Sequence, residues 1–318
     1  MSTRSELLLY LGFIAFLAAT VLTGNSYLIN LGIVIGLQAL PAIGLSLLMG
    51  YAGQISLGHA AFYGLGAYGS ALIAMHAGLT PWISIALATV LVGVAAWGLG
   101  WLIFRLKGHH LAMATLGVGI IVHVCLVEFH ELTGGPNGLP DVPPISMFGK
   151  EYYTDQQVFP IVWIVCLLII FVAENLVRSP IGVAMKAVAA NEKVSASLGI
   201  SSFATKRTVL VISAIVAAIG GGLYAHYIGY LSPSPFDVGF SIKLLVMVAL
   251  GGFSRIWGVL FGVAFVTLVS EVLKPLGNYD VIVFGALLVW TMIYCPQGLL
   301  QRLHELVLHA ARRMRRAV

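Results

Sequence analysis

Arg178-Ser179-Pro180-Ile181-Gly182-Val183-Ala184-Met185-Lys186-Ala187-Val188-Ala189-Ala190-Asn191-Glu192-Lys193, continuing to Leu198-Gly199-Ile200 and Arg207, is the longest polar interruption between strongly apolar segments on the basic side of the chain. Ser179 is a good helix N-cap, and Pro180 suits the first helical position, where its missing N–H would have no partner anyway. Ile181, Ala184, Met185 and Val188 recur at helical spacing, while Lys186, Glu192 and Lys193 keep the other faces wet. Gly199 stands where a left-handed C-cap belongs, and Ser202 is placed to cap the next helix. The pattern predicts a short amphipathic helix hung between two membrane spans. Its apolar face is on offer to something outside the membrane, which is the shape of a docking element.

The flanks on both sides fix the fold class. The chain has 318 residues, 59% apolar and 9% charged, with a mean hydropathy of +0.98. So few charges cannot cover a soluble globule. Apolar runs approach or exceed the roughly 20 residues a helix needs to cross a bilayer, whereas a barrel would show alternating segments of about ten. The fold class is therefore all-α, a polytopic helical membrane protein. Ten crossings are expected, at 7–23, 27–49, 55–76, 82–104, 111–127, 158–177, 208–230, 239–252, 256–273 and 280–295. The glycine-rich 55–76 and the short 239–252 are the two that can be broken or re-entrant, tolerable only where backbone is buried in protein or lines a cavity. Residues 1–301 form one transmembrane domain and 302–318 a basic tail. The long first apolar run, followed by further spans, is read as an uncleaved helix rather than a signal peptide.

Charge orients the bundle. With the N-terminus inside, Arg105, Lys107, Arg178, Lys186, Lys193, Lys206, Arg207 and Arg255 fall on inner loops, and only Lys150, Lys243 and Lys274 outside. The positive-inside rule puts both termini and the 178–207 segment in the cytoplasm. The net charge of +5 follows this topology, with Arg312-Arg313-Met314-Arg315-Arg316 in the tail, and implies no nucleic acid. The tail is a topogenic cluster first and a membrane-lipid site second. The outer loop, 128–157, carries Gly134, Gly135, Pro136, Asn137, Gly138 and Pro140, so turns can order it. It is either a docking surface for an external partner or a solvated connector.

Chemistry is scarce. Cys125, Cys166 and Cys295 lie in or beside apolar segments, without CxxC or disulfide spacing. No Walker A, HExxH, GxSxG or dinucleotide fingerprint occurs, so no cofactor is expected and the chain is not read as an enzyme. None of the nine histidines has ligand spacing with carboxylates. Polar groups at membrane depth face a pathway or a neighbouring helix. Among Asn30, Gln38, Gln54, Ser56, His59, Thr115, His123, Ser213 and His226, the candidate pathway residues are Gln54, Ser56, His59 and Thr115. The first three follow the turn Gly50-Tyr51-Ala52-Gly53-Gln54. A second inner turn, Gly251-Gly252-Phe253-Ser254-Arg255, occupies a similar place later and hints at two related halves. The glycines, Gly220-Gly221-Gly222 among them, are read as close helix contacts.

An ordered series of pieces carries a resemblance. It comprises Gly50 to Phe62, Gly64 to Tyr68, Leu111-Ala112-Met113-Ala114-Thr115-Leu116-Gly117, Leu132-Thr133-Gly134-Gly135-Pro136-Asn137-Gly138-Leu139, Ser179 to Ile200, Leu250-Gly251-Gly252-Phe253 with Trp257-Gly258, and Pro296-Gln297-Gly298-Leu299-Leu300. Through nearly its whole length the chain resembles the LivM/LivH permease subunits of branched-chain amino acid ABC importers, on the LivM side. Val183 stands where relatives often have Arg, and Ile120 where many have Glu. The resemblance implies a sister permease subunit, two cytoplasmic ATP-binding subunits and an external solute-binding protein in a bacterial inner membrane. It implies an ATPase-coupling role for Ser179, Gly182, Met185, Lys186, Val188, Glu192 and Gly199. The alternatives are a permease for another small solute (urea, an amide, an aromatic or carboxylic acid) and a membrane-embedded enzyme using the histidines.

Overall fold

The computed structural model describes residues 24–106, 108–147, 150–273 and 280–294. The expected first crossing and the basic tail lie outside them, as do Lys107, Lys274 and Cys295. Helix α1 (Ser26–Ser46) starts at Asn25, whose side chain accepts from the Tyr27 N–H. Pro41 removes one backbone donor inside it, and the helix ends in a wide π turn, Leu47–Tyr51. There follow α2 (His59–Ala77), α3 (Pro81–Ile103), α4 (His109–Glu128) and α5 (Asp155–Arg178). Two short helices, α6 (Pro180–Ala190) and α7 (Glu192–Ser197), lead into the long α8 (Ser202–Ile228). Then come α9 (Val238–Gly251), α10 (Ile256–Leu273) and α11 (Asp280–Tyr294).

Among the described residues six helices are long and apolar enough to cross a membrane: α1 with its π turn, α3, α4, α5, α8 and α10. The protein is a polytopic helical membrane protein. The expected segments at 55–76, 239–252 and 280–295 are also helical, as α2, α9 and α11. At 14 residues, α9 rises only about 21 Å.

Helix α8 is the hub, packed against α2, α3 and α1. Small residues bring it close to α2. A methyl group on Gly221 would overlap the Tyr63 carbonyl, and one on Gly66 would overlap the backbone of Ala218. Such contact stabilises helix pairs where lipid supplies no hydrophobic drive. Outward faces carry large apolar side chains, as on α3, where Val90, Leu91, Val94, Trp97 and Trp101 are exposed. The 128–157 loop is ordered by turns, as its composition predicts. Leu139 and Leu231 exchange backbone hydrogen bonds of 2.7 and 3.0 Å, and Ser146–Met147 pairs antiparallel with Lys150–Glu151. Trp82 donates to the Ser146 carbonyl at 2.9 Å.

Candidate functional site

The polar segment that interrupts the bundle is two helices, which corrects the single helix read from its sequence. Ser179 caps α6 as predicted: its Oγ accepts from the Gly182 N–H at 3.4 Å and donates to the Leu176 carbonyl at 2.7 Å. The break falls at Asn191, whose backbone is extended. Its side-chain oxygen accepts from the N–H groups of Lys193 (3.0 Å) and Val194 (3.2 Å), starting α7 afresh. Gly199 has the left-handed φ of +81° expected of it. The cap of α8 is Ser201, whose hydroxyl accepts from the Ala204 N–H, so the cap lies one residue before Ser202.

Burial divides the segment. Met185 and Val188 are 0% and 2% exposed, and Gly182 fits only because a side chain there would strike the Val177 carbonyl. These residues fasten α6 to its own chain. The Lys186 ammonium donates to the Val177 carbonyl at 3.3 Å and lies 5.7 Å from the Tyr51 ring centre. Glu192 forms an ion pair with Lys206 of α8. The outward apolar side chains are Ile181, Val183, Val194 and Leu198, the last two 55% and 73% exposed.

Beneath α6 lies the π turn that closes α1. Gly53, with φ +66°, has Ala189 of α6 against it. The two glycine-bearing turns noticed in the sequence interlock here. Ser46 Oγ donates to the Phe253 carbonyl (2.9 Å), Tyr51 to the Ser254 carbonyl (2.7 Å), and Ser254 Oγ to the Gly50 carbonyl (2.9 Å). Gly50 is required, because any Cβ would overlap the Phe253 carbonyl.

From this junction the chain climbs back into the bundle before α2 begins. His59 Nε2 lies 3.1 Å from Ser213 Oγ, which donates to the Gly44 carbonyl at 2.6 Å. Ser213 sits roughly 16 Å along the axis of α8, whose length is about 40 Å, so α2 starts near mid-depth. At the same level Ala60 N–H donates to Ser241 Oγ in the first turns of α9 (3.1 Å). Helices α2 and α9 thus both begin inside the bundle, approached by the irregular stretches 52–58 and 229–237. Half-helices of this kind aim unpaired N–H groups and the positive end of the helix dipole at an interior site.

The candidate pathway residues distribute unevenly. Thr115 Oγ1 accepts from the Leu57 N–H at 3.1 Å, and Thr115 and Ser56 border a void of about 10 Å³. That is room for one water at most. Ser56 Oγ and His59 Nδ1 are buried without a hydrogen-bond partner among the described residues, while Gln54 turns back on the Ala52 carbonyl at 2.9 Å. Beside them, at the start of α9, lies a cavity of about 360 Å³, within the size of small-molecule sites. Its wall includes Gln38, Tyr63, Tyr224, Asp237, Phe240 and Lys243. Asp237 caps α9, its Oδ1 accepting from the Phe240 N–H at 2.8 Å. Of these only Gln38 was singled out by sequence. Lys243, counted there among the outer charges although it falls in the expected crossing 239–252, lies within α9, and an ionisable residue inside an apolar run was the signal available. Among the described residues no group of three or more His, Cys, Asp or Glu is placed to hold a metal ion.

Residues 27–292 match the model of the family described as branched-chain amino acid transport system / permease component. The chain is 33% identical over 283 residues to the high-affinity branched-chain amino acid transport system permease protein LivM of Salmonella typhimurium, and likewise to that of Escherichia coli. Those alignments cover 81% of this chain and 66% of the relatives' length. The corresponding LivH of Salmonella typhimurium is 27% identical over 287 residues, 83% of this chain and 91% of LivH. No solved structure matches the chain.

Proposed function

The chain belongs to the branched-chain amino acid transport permease family, and from that premise we propose that it is the non-hydrolytic, LivM-type permease subunit of an ATP-driven importer of branched-chain amino acids. It works beside a sister permease, with two ATP-hydrolysing subunits in the cytoplasm and a solute-binding protein outside. The assembly sits in a bacterial cytoplasmic membrane with ten crossings, and both termini of this chain face the cytoplasm.

One observation carries the mechanical part: α6 rests on the turn where the approach to α2 interlocks with the turn that joins α9 to α10. Its seat is formed by Gly53, Tyr51 and the Val177 carbonyl, and that turn is bonded to Phe253 and Ser254. A push on α6 and α7 from the cytoplasm therefore reaches the inner ends of α1, α9 and α10 together. The Glu192–Lys206 pair carries the same push into α8, the hub. Packed helices respond by small rigid shifts between discrete arrangements, and rocking about a site near mid-depth is the expected form of alternating access. Ser179, Gly182, Met185 and Val188 build the seat from within. The ATPase meets the exposed side chains of Ile181, Val183, Lys186, Val194 and Leu198. Gln54, Ser56, His59 and Thr115 hold the approach to α2 at the edge of the pathway. Aspartate substitution at Val194 and Leu198, followed by co-purification with the ATPase and uptake into vesicles, tests this reading. Full binding and full uptake in those variants would sink it.

A further inference from the structure

The outward face of α3 ends in two cation–aromatic pairs that play no part in the proposed transport cycle. Leu87, Val90, Val94, Trp97 and Trp101 recur at the spacing of one helical stripe, and each is 45–64% exposed. Helix α3 has 23 residues, about 34 Å, slightly more than the roughly 30 Å of hydrocarbon in a bilayer. Trp101 and Trp97 lie about 3 and 9 Å short of its end, at the depth where tryptophans line the membrane boundary. The Arg105 guanidinium sits 4.0 Å from the Trp101 ring centre. Arg207 comes from the neighbouring α8, 4.7 Å from the Trp97 ring centre and 5.5 Å from that of Phe203. Gly100 makes this reach possible, since a methyl group there would meet the Arg207 Cγ at 2.9 Å. Arg207 is partly buried and Arg105 exposed. Neither has a carboxylate partner among the described residues, whereas Lys206, next to Arg207, turns inward to Glu192, and Arg178 pairs with Glu174.

We propose that Arg105 and Arg207 hold the phosphodiester of an anionic phospholipid from the surrounding bilayer, with an acyl chain lying along Val94, Val90 and Leu87. The rings take one face of each guanidinium, and its N–H edge stays free to donate to phosphate oxygens. Trp97 and Trp101 are one turn apart, about 6 Å along the axis, which places both cations at one patch. An unpaired guanidinium at the edge of hydrocarbon is costly, and phosphate is the anion a bilayer supplies at that depth. A soluble anion offers nothing to the exposed apolar stripe that continues from the arginines. A zwitterionic lipid brings its own cation against them. The bound headgroup clamps the end of α3 to the second turn of α8, on the residue next to the one that Glu192 of α7 pairs with. The site is independent of which solute the chain carries.

The test takes the full chain in a neutral detergent, together with the chains that co-purify with it. Binding of dioleoylphosphatidylglycerol is followed by native mass spectrometry, with dioleoylphosphatidylcholine and inorganic phosphate as comparison probes. Arg105→Gln combined with Arg207→Gln is expected to weaken the tightest phosphatidylglycerol site about thirtyfold, roughly five- to sixfold for each charge lost near a membrane surface. Arg105→Gln alone, at an exposed position, carries the same expectation at about five- to sixfold should the double variant melt early. Lys193→Gln combined with Arg255→Gln removes the same charge from exposed positions elsewhere and should leave binding within about twofold, because separated surface charges are screened. Trp97→Leu combined with Trp101→Leu keeps the apolar stripe and both arginines, and should still weaken phosphatidylglycerol several-fold. Phosphatidylcholine should bind the parent at least about tenfold more weakly, and millimolar inorganic phosphate should displace no lipid. Unchanged phosphatidylglycerol binding without the two arginines overturns the site, as does an equal loss in the Lys193 and Arg255 control or equal binding of phosphatidylcholine. Displacement by inorganic phosphate would leave an anion site without lipid. Loss of a co-purifying protein chain with lipid binding intact would give this face to a protein partner, and overturn the proposal too.

Discussion

Aspartate placed along the 178–207 segment separates residues that hold it to its own chain from residues proposed to meet an ATPase. Met185 is fully buried and Leu198 is 73% exposed, although both are apolar positions of one short stretch. Met185→Asp removes a buried side chain, a loss of about 2–5 kcal/mol for truncation alone. It also leaves a carboxyl group without a partner in a dry setting, which even as the neutral acid adds on the order of 2–7 kcal/mol. The sum is comparable with the whole stability of a domain, about 5–15 kcal/mol, so the expected result is loss of folded protein. Leu198→Asp and Val194→Asp put their charges into water, with changes within about 0.5 kcal/mol. Thermal unfolding in detergent should therefore leave these two near the parent. Co-purification with the ATPase should fall at least about tenfold, the equivalent of roughly 1.4 kcal/mol of lost contact. Stable Met185→Asp protein that still fails to hold the ATPase would refute the assignment of Met185 to the inner seat. Stable Leu198→Asp and Val194→Asp proteins that hold it normally would refute the outer face.

Further outcomes follow from single contacts. The Lys206 side chain is 6% exposed and that of Glu192 40%, so the ion pair is asymmetric. Glu192→Gln leaves a buried ammonium and should cost about 2–3 kcal/mol, short of the 3–5 of a fully buried pair, while Lys206→Met leaves a carboxylate water can reach and should cost about 1; thermal unfolding of both variants checks the order. Ser213→Ala removes the hydrogen-bond partner of buried His59 and should lower stability by about 1–3 kcal/mol, read by the same unfolding curves. Gly221→Ala drives a methyl into the Tyr63 carbonyl and should cost about 1–3 kcal/mol by overpacking. Gly98→Ala, with nothing within 4 Å, should be neutral or slightly stabilising when the two are compared by melting temperature.

Apolar composition and run length made the helical membrane class legible, because a helix in lipid must be long, apolar and internally bonded. Asn191 was less legible. In the run Ala189-Ala190-Asn191-Glu192 nothing apolar signals a break, and only the side chain's capture of the Lys193 and Val194 N–H groups ends one helix and starts another. The inward turn of Met185 and Val188 was hidden for a different reason. Amphipathicity says that one face of a helix is apolar, not whether its own chain or another covers that face. Here the parent bundle takes it, and a second, thinner apolar row through Val183, Val194 and Leu198 is left outward.

The cavity at the start of α9 was hidden because it joins residues from distant parts of the chain, Gln38, Tyr63, Tyr224 and Asp237 among them. The two glycine turns give the clue to how they meet. Each follows the inner end of one helix and precedes another, and in space they lock together through Ser46, Tyr51, Gly50 and Ser254. That lock ties the inner end of α9 to the chain's approach to α2, while Ser241 ties the other end of α9 to the first turn of α2. Helix α9 is thus held at both ends by one neighbouring segment, with the cavity at its outer end and the seat of α6 close to its inner end. On the proposed coupling, a shift of α6 that moves the lock tilts α9 about its Ser241 contact, and with it the cavity wall that α9 provides. Coupling over the length of a 14-residue helix then needs no chain of side-chain rearrangements, only the rigidity of the helix itself.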